Sequence, residues 1–391
     1  MADTVRARGA ATVRVMVVDD SAVVRGLITR MLREDPNVEV VHSASNGEMA
    51  VAAGKRDPVD VVVLDIEMPV MDGLAALPGL LAAMPGVQII MASTLTDHNA
   101  DISLRALQAG AADYIPKPST SQGLISTADF RRDLLAKVLS LGAAARASAH
   151  RRDPGRGAEA AVARPRPRES AVGQKAEAQP KSLYAHAGPV VLRKPGMFKP
   201  KVLVVGSSTG GPQALFSFFK GLKRDIGVPV LLTQHMPPTF TALLGEHIQR
   251  STGWPAREGK DGDALVPGEI LIAPGNHHMV VEKTARGIAV RINQGPPENF
   301  CRPAVDPMFR SAATAFGGHV LALVLTGMGQ DGLVGARAIV SAGGTVVAQD
   351  EATSVVWGMP GAVATNGLCS AVLPLAELPD QVRGLAMRGS S

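Results

Sequence analysis

The sequence predicts an α/β protein with two parallel-sheet domains, and three observations lead to that expectation. Short apolar runs rich in Val, Leu and Ile alternate with segments whose apolar residues recur at helical spacing. Many of these runs stop abruptly in Asp, Ser, Gly or His, as buried strands do where the chain turns at the edge of a sheet. Between two groups of such runs lies a stretch, residues 142–198, rich in Arg, Pro and Ala and poor in large apolar side chains. That composition is expected to form a disordered linker. A chain of 391 residues has room for a core on each side of it. The expected division is 1–141, a linker over 142–198, and a second domain over 199–385.

In the first domain, Val13 to Val18 is a strand ending in the paired carboxylates Asp19 and Asp20. From Ala22 to about Glu34, the residues Val23, Val24, Leu27, Ile28, Met31 and Leu32 fall at helical spacing. Val38 to Ser43 forms the next strand, a helix begins near Asn46, and Val61 to Leu64 runs straight into Asp65. The strand from Gln88 to Met91 ends at Ser93, and the last, around Asp113 to Ile115, ends at Pro116, Lys117 and Pro118. Five strands alternating with helices make a doubly wound parallel sheet.

In such a sheet the ligand site lies beyond the carboxyl ends of the strands, where this sequence puts Asp19, Asp20, Asp65, Ser93 and Lys117. One acid at a strand end commonly serves as a helix cap. Three with a lysine form a hard oxygen site suited to Mg²⁺ and to an arriving phosphoryl group. The strings Val17-Val18-Asp19-Asp20-Ser21, Leu64-Asp65-Ile66-Glu67-Met68-Pro69 and Lys117-Pro118, with Ser93 between them, make Met1 to about Leu141 resemble a response-regulator receiver domain. The resemblance implies that Asp65 accepts phosphate from a histidine-kinase partner. It further implies that Asp19, Asp20, Asp65 and the backbone carbonyl of Glu67 hold Mg²⁺, that Ser93 is the switch hydroxyl, and that Lys117 pairs with the phosphoryl group. Tyr114 falls at the aromatic switch position.

The second domain opens on Val202 to Val205, a buried strand entering Gly206-Ser207-Ser208-Thr209-Gly210-Gly211, after which Pro212 starts a helix. A phosphate-binding loop would need Lys after the last glycine, and a dinucleotide fingerprint would need glycine where Ser208 stands. The string does fit Gly-x-Ser-x-Gly, a sharp elbow that can present Ser208 as a nucleophile beside helix-terminal amides. A second strand, Val228 to Thr233, ends in Gln234-His235, and a third, Val320 to Leu325, runs into Thr326-Gly327-Met328-Gly329-Gln330-Asp331. Taken alone, His235 reads as a satisfied polar residue and Asp331 as a helix cap. Together with Ser208 they supply base, orienting acid and nucleophile at three strand ends. The order Ser, His, Asp is not that of the α/β-hydrolases.

These strings, with Ala273-Pro274-Gly275-Asn276-His277-His278, Pro296-Pro297-Glu298-Asn299, Arg302-Pro303-Ala304-Val305-Asp306 and Gly358-Met359-Pro360, resemble the catalytic domain of protein-glutamate methylesterases, the CheB family of bacterial chemotaxis. The resemblance implies that Ser208 attacks glutamyl γ-methyl esters on methyl-accepting chemotaxis receptors and deamidates receptor glutamines by the same acyl chemistry, with no cofactor for hydrolysis. His235 is then base and acid, Asp331 stands behind it, and the amides of Thr209 and Met328 are candidate oxyanion donors. His278, Asn299 and Arg302 are assigned to the substrate-site rim. Ser207 places a second hydroxyl beside the nucleophile, Cys301 stands where relatives are often polar, and the linker is longer than the family's usual connector.

Composition bounds the alternatives. Residues 142–200 hold twelve Lys and Arg against four Asp and Glu, so the remainder carries −3 of the chain's net +5, and neither domain has a basic footprint for nucleic acid. Two cysteines, Cys301 and Cys369, are too few for a disulfide framework, fit a reducing cytoplasm and read as packing residues. His277 and His278 lack companions at metal spacing. No signal peptide or membrane span is expected, hence a soluble, cytoplasmic chain without membrane insertion. The alternatives are a response regulator whose output domain only binds a partner, a DNA-binding regulator and an unrelated ester hydrolase. The full Ser-His-Asp set, the charge distribution and the receiver respectively disfavour them.

Overall fold

The computed structural model describes residues 12–94, 96–117, 127–152 and 190–387. The first domain alternates strictly: β1 (Val13–Val18), α1 (Ala22–Arg33), β2 (Val38–Ala44), α2 (Gly47–Arg56), β3 (Val61–Asp65), α3 (Gly73–Ala83), β4 (Gln88–Ser93), α4 (Asp97–Gln108), β5 (Asp113–Pro116) and α5 (Thr127–Arg152). Its sheet is parallel, in the order β2-β1-β3-β4-β5. Every residue of β3 is buried, which is why that strand reads as an unbroken apolar run. Ser21, Asn46, Asp72 and Thr96 cap helices α1 to α4 by accepting a bond from the backbone three residues on.

The second domain runs β6 (Val202–Ser207), α6 (Gly211–Gly221), β7 (Val230–Gln234), α7 (Phe240–Thr252), β8 (Ala256–Glu258), β9 (Ile270–Ile272), β10 (His278–Thr284), β11 (Gly287–Asn293), α8 (Val305–Phe316), β12 (Val320–Val324), α9 (Leu333–Ser341), β13 (Thr345–Gln349), α10 (Met359–Thr365), β14 (Ala371–Leu373) and α11 (Leu378–Ala386). Seven strands form one parallel sheet in the order β14-β13-β12-β6-β7-β9-β8, and β10 and β11 make a separate antiparallel hairpin. The central trio β12-β6-β7 carries the three candidate catalytic residues at its carboxyl ends. Strand order reverses between β6 and β12, and a crevice opens at such a point.

The chain leaves the expected linker at both ends. Helix α5 continues past Leu141 to Arg152, because Gly142 lies against Val13 of β1 and Ala145 is buried. Residues 190–198 lie along the second domain, where Arg193 N–H donates to Cys369 O at 2.9 Å and Gly196 N–H to Thr345 Oγ1 at 2.9 Å. The rest of the expected linker, 153–189, lies outside the described residues, as does Pro118. Among the described residues no helix is long and apolar enough to cross a membrane.

The two domains share an apolar cluster continuous from Leu104 and Leu107 on α4 to Leu215 and Phe218 on α6 and Leu244 on α7. Polar bonds flank it. Gly210 N–H donates to Ala112 O at 3.2 Å, Gln213 Nε2 donates to Ala111 O, and Thr209 Oγ1 donates to Asp113 Oδ2 at 2.6 Å. Tyr114 stacks on Phe240 with ring centroids 4.4 Å apart, and His247 Nε2 meets Asp101 Oδ1 at 2.8 Å.

Candidate functional sites

Strand ends β1, β3, β4 and β5 bring together the acidic pocket of the first domain. Lys117 Nζ lies 2.7 Å from Asp19 Oδ2 and 2.6 Å from Asp65 Oδ1, and it sits between the two carboxylates. Asp19, Asp65 and Ser93 are buried, whereas Asp20 and Glu67 are exposed at the mouth. Burial raises the Asp65 carboxyl, and the charge of Asp19 adds to that, against the pull of Lys117. Ser93 Oγ stands 3.2 Å from Ser103 Oγ of α4. One oxygen from each of Asp19, Asp20 and Asp65 can be chosen so that all lie within 4.8 Å of one another, so the donor set fits a hard divalent cation such as Mg²⁺.

The second site is a cleft of about 480 Å³ that contains Ser208, Thr209, His235, Asn299, Arg302, Met328 and Asp331. Its elbow has a steric cause. Gly210 has φ +74°, a conformation that favours glycine, and Gly327 passes so close that a Cβ there would stand 2.9 Å from Ser208 Cβ. Ser207 is buried and donates its hydroxyl to Gln234 Oε1 at 2.7 Å, whereas Ser208 faces the cleft. Ser208 Oγ makes no hydrogen bond among the described residues, and the N–H groups of Thr209 and Met328 meet no protein acceptor there. Two unengaged amides near a hydroxyl can receive a developing oxyanion.

His235 Nε2 is 2.7 Å from Asp331 Oδ2, and Nδ1 is the ring nitrogen that this carboxylate does not engage. Asp331 is held unusually firmly: Val305 N–H donates to it at 2.6 Å, Gly332 N–H at 2.9 Å, and Asp306 N–H and Asn299 Nδ2 each at 3.1 Å. Burial opposes its ionisation, yet His235 and these amides hold its carboxyl below the ordinary range. Burial also works against a charged His235, but the Cys301 sulfur and the Asp331 carboxylate outweigh it and push the imidazole up to about 10.

Three placements depart from the sequence reading. His278, assigned to the rim, is buried at the start of β10, where Nδ1 accepts from Ala304 N–H at 3.2 Å and Nε2 donates to Pro296 O at 3.0 Å. It braces the 296–304 loop from behind, while Asn299 and Arg302 do line the cleft. Cys369 is buried as expected, but Cys301 is half-exposed in the cleft, with Sγ 3.4 Å from His235 Nδ1. Asp306 was quoted only as part of a string, and it stands beside the acid. Its Oδ1 accepts from Gly335 N–H at 2.6 Å, its Oδ2 from Asn299 Nδ2 at 3.2 Å, and burial with the Asp331 charge pushes it up to about 6. Receiver-side residues, Asp113, Tyr114, Arg132 and Lys137 among them, close one wall of the same cleft. The resemblance to the methylesterase family suggests an unphosphorylated receiver over the entrance to Ser208, and these are the receiver residues that line the cleft beside it.

A parallel α/β sheet with an acidic strand-end pocket, docked on a second sheet that bears Ser208, His235 and Asp331 at adjacent strand ends, is the arrangement of a receiver coupled to a hydrolase domain. The family model described as "CheB methylesterase" matches residues 203–382, and that of the "Response regulator receiver domain" matches residues 15–129. The chain is 52% identical over 378 residues to protein-glutamate methylesterase/protein-glutamine glutaminase 1 of Paramagnetospirillum magneticum, covering 96% of this chain and 97% of that protein. It is 55% identical over 385 residues to the protein-glutamate methylesterase/protein-glutamine glutaminase of Azospirillum brasilense, covering 98% and 95% respectively. The chain belongs to the protein-glutamate methylesterase/protein-glutamine glutaminase family.

Proposed function

We propose that this chain hydrolyses glutamyl γ-methyl esters on methyl-accepting chemotaxis receptors, releases methanol, and deamidates receptor glutamines at the same site. The observation that carries this reading is the His235–Asp331 bond of 2.7 Å in the cleft that holds Ser208, in a chain of this family. Ser208 Oγ attacks the ester carbonyl as His235 Nδ1 takes its proton. The oxyanion is received by the amides of Thr209 and Met328. His235 then returns the proton to the departing methoxide, or to the amide nitrogen so that it leaves as ammonia, and a water activated by the same imidazole cleaves the acyl-enzyme. Asp331 fixes the imidazole so that Nε2 carries its proton and Nδ1 is the basic nitrogen. Asn299 and Arg302 border the substrate.

In the receiver, Asp65 is the phosphoryl acceptor, a chemotaxis histidine kinase is the donor, and the cytoplasm is the place of action. Asp19, Asp20, Asp65 and the Glu67 carbonyl would hold Mg²⁺, whose charge would neutralise the phosphoryl oxygens. Lys117 supplies a second positive charge to the same group, and Ser93 supplies a hydroxyl. The test is to incubate the purified chain with receptor membranes methylated with a radiolabelled methyl group and to time methanol release. Release at a rate that Ser208→Ala reduces to background is expected; no release from the unaltered chain, or full release from the variant, would overturn the proposal.

A further inference from the structure

The imidazole of His235 has two ring nitrogens and three candidate partners. Nε2 is committed to Asp331 at 2.7 Å, and Nδ1 faces Cys301 Sγ at 3.4 Å while Ser208 Oγ bonds to nothing among the described residues. The cleft therefore contains a Cys-His-Asp series in line, the arrangement in which an imidazole backed by a carboxylate draws the proton from a thiol. Cys301 is held where this contact persists. Its N–H and C=O both pair with Glu298, at 2.9 and 3.1 Å, and Glu298 is tied to Arg310. Neighbouring Asn299 is anchored on Asp306 and Asp331. The sulfur is half-exposed to a cavity large enough for a small reagent, whereas Cys369 is buried.

We propose that Cys301 is a second nucleophile of this cleft, activated by His235, and a modification site for small soft electrophiles such as haloacetamides and peroxides, reaction at which stops hydrolysis. When the proton between Sγ and Nδ1 rests on the ring, Asp331 stabilises the imidazolium and the sulfur is a thiolate. With a haloacetamide an S–C bond forms as the carbon–halogen bond breaks, and halide leaves with the electron pair. With a peroxide an S–O bond forms as the O–O bond breaks. The sulfur is oxidised by two electrons to the sulfenic acid, the peroxide is reduced, and hydroxide or alkoxide takes the proton from the ring. Either adduct stands between Nδ1 and the cavity and denies Ser208 the only nitrogen left to accept its proton.

The experiment treats the full chain and its Ser208→Ala variant with iodoacetamide between pH 5.5 and 9 and follows each cysteine by peptide mass spectrometry. Cys301 is expected to react at least tenfold faster at pH 6.5 than a free cysteine peptide, equally in both proteins, with Cys369 unreacted. His235→Asn is expected to slow Cys301 at least tenfold, and loss of methanol release in the unaltered chain should track Cys301 labelling one for one. Labelling of Ser208→Ala is read without hydrolysis, so the thiol and the esterase can fail separately. A Cys301 rate that falls tenfold per pH unit below about 8.5, as for an ordinary thiol, would overturn the proposal even if His235→Asn did not fold. So would labelling that leaves hydrolysis intact.

Discussion

At the scale of single residues, the site turns on which atoms are left without partners. Ser207 and Ser208 are adjacent hydroxyls and indistinguishable by type, but Ser207 is buried on Gln234 and only Ser208 opens into the cleft. Ser207→Ala should therefore cost about 1 kcal/mol of stability, the worth of one buried hydrogen bond, and leave most of the methanol release, whereas Ser208→Ala should leave none. Denaturation midpoints read beside the activity would separate the two; a dead Ser207→Ala with normal stability would move the nucleophile by one position. The base gives a second prediction. His235 must be neutral to accept a proton, and its neighbours hold it above its ordinary value of 6.5. The rate under kcat/KM conditions should then rise with pH along a limb displaced above 6.5, and Cys301→Ala should move that limb to lower pH. An unmoved limb would mean that the sulfur leaves the imidazole unperturbed. Ser208, His235 and Asp331 were legible in the sequence because each follows an apolar strand in a recognisable string. The Cys301 contact was not, since the loop before it takes positive φ at Asn299 and Phe300, and a phenylalanine gives no sign of that conformation.

At the scale of elements, the acid of the site doubles as structural cement. Helix α8 begins at Val305 after Ala304, which has no side chain able to cap it, and Asp331 bonds the amides of Val305 and Asp306 from the far end of β12. Asp306, on α8, returns the favour by accepting from Gly335 in the first turn of α9. The sequence reading allowed Asp331 to be a helix cap or an orienting acid; the structure has it bonding the first amides of a helix that lies N-terminal to it, and the proposed mechanism gives it the second role as well. Such a cap escapes sequence patterns, which register only local spacing. Asp331→Ala should accordingly lose about 2–4 kcal/mol of stability along with activity, because charge-assisted bonds to buried amides are removed together. Asp331→Asn keeps an acceptor and should unfold nearer the unaltered chain while losing turnover more than substrate affinity. Because the Asp331 carboxyl is held low, its contribution is complete at neutral pH and is lost only as acid takes the pH below the usual carboxylate range. Melting curves of the two variants at pH 7 decide it; equal melting points would remove the capping role.

At the scale of the whole molecule, the two domains meet where the chemistry is. The receiver's β5 edge contacts the elbow itself: Ala112 O accepts from Gly210 N–H, and Asp113 accepts both from Thr209 Oγ1 and from Lys137. Thr209 follows Ser208, the proposed nucleophile, so the receiver engages the segment whose amide is proposed to hold the oxyanion. The neighbouring residue Tyr114 is buried in the interface, stacked on Phe240, and Lys117 lies three positions on between Asp19 and Asp65. A phosphoryl group at Asp65 must compete for Lys117, and a ligand shifts an equilibrium only through such differential contacts. A long linker lowers the effective concentration of the domain it tethers. The shared apolar core and buried polar bonds nevertheless give the closed arrangement energy of its own. We expect a fragment from Val190, which keeps the strap on Cys369 and Thr345, to hydrolyse receptor esters faster than the full chain by a coupling of roughly 1–3 kcal/mol, or 5–150-fold. A small-molecule phosphodonor with Mg²⁺ should bring the full chain towards the fragment's rate, and Asp113→Ala should do part of this without phosphorylation, because it frees Thr209 while leaving Asp65 untouched. Equal rates for fragment, full chain and phosphorylated chain, with Asp65 shown to carry the phosphate, would mean that the wall over Ser208 opens freely in solution and that the receiver directs the enzyme to its substrate rather than gating it.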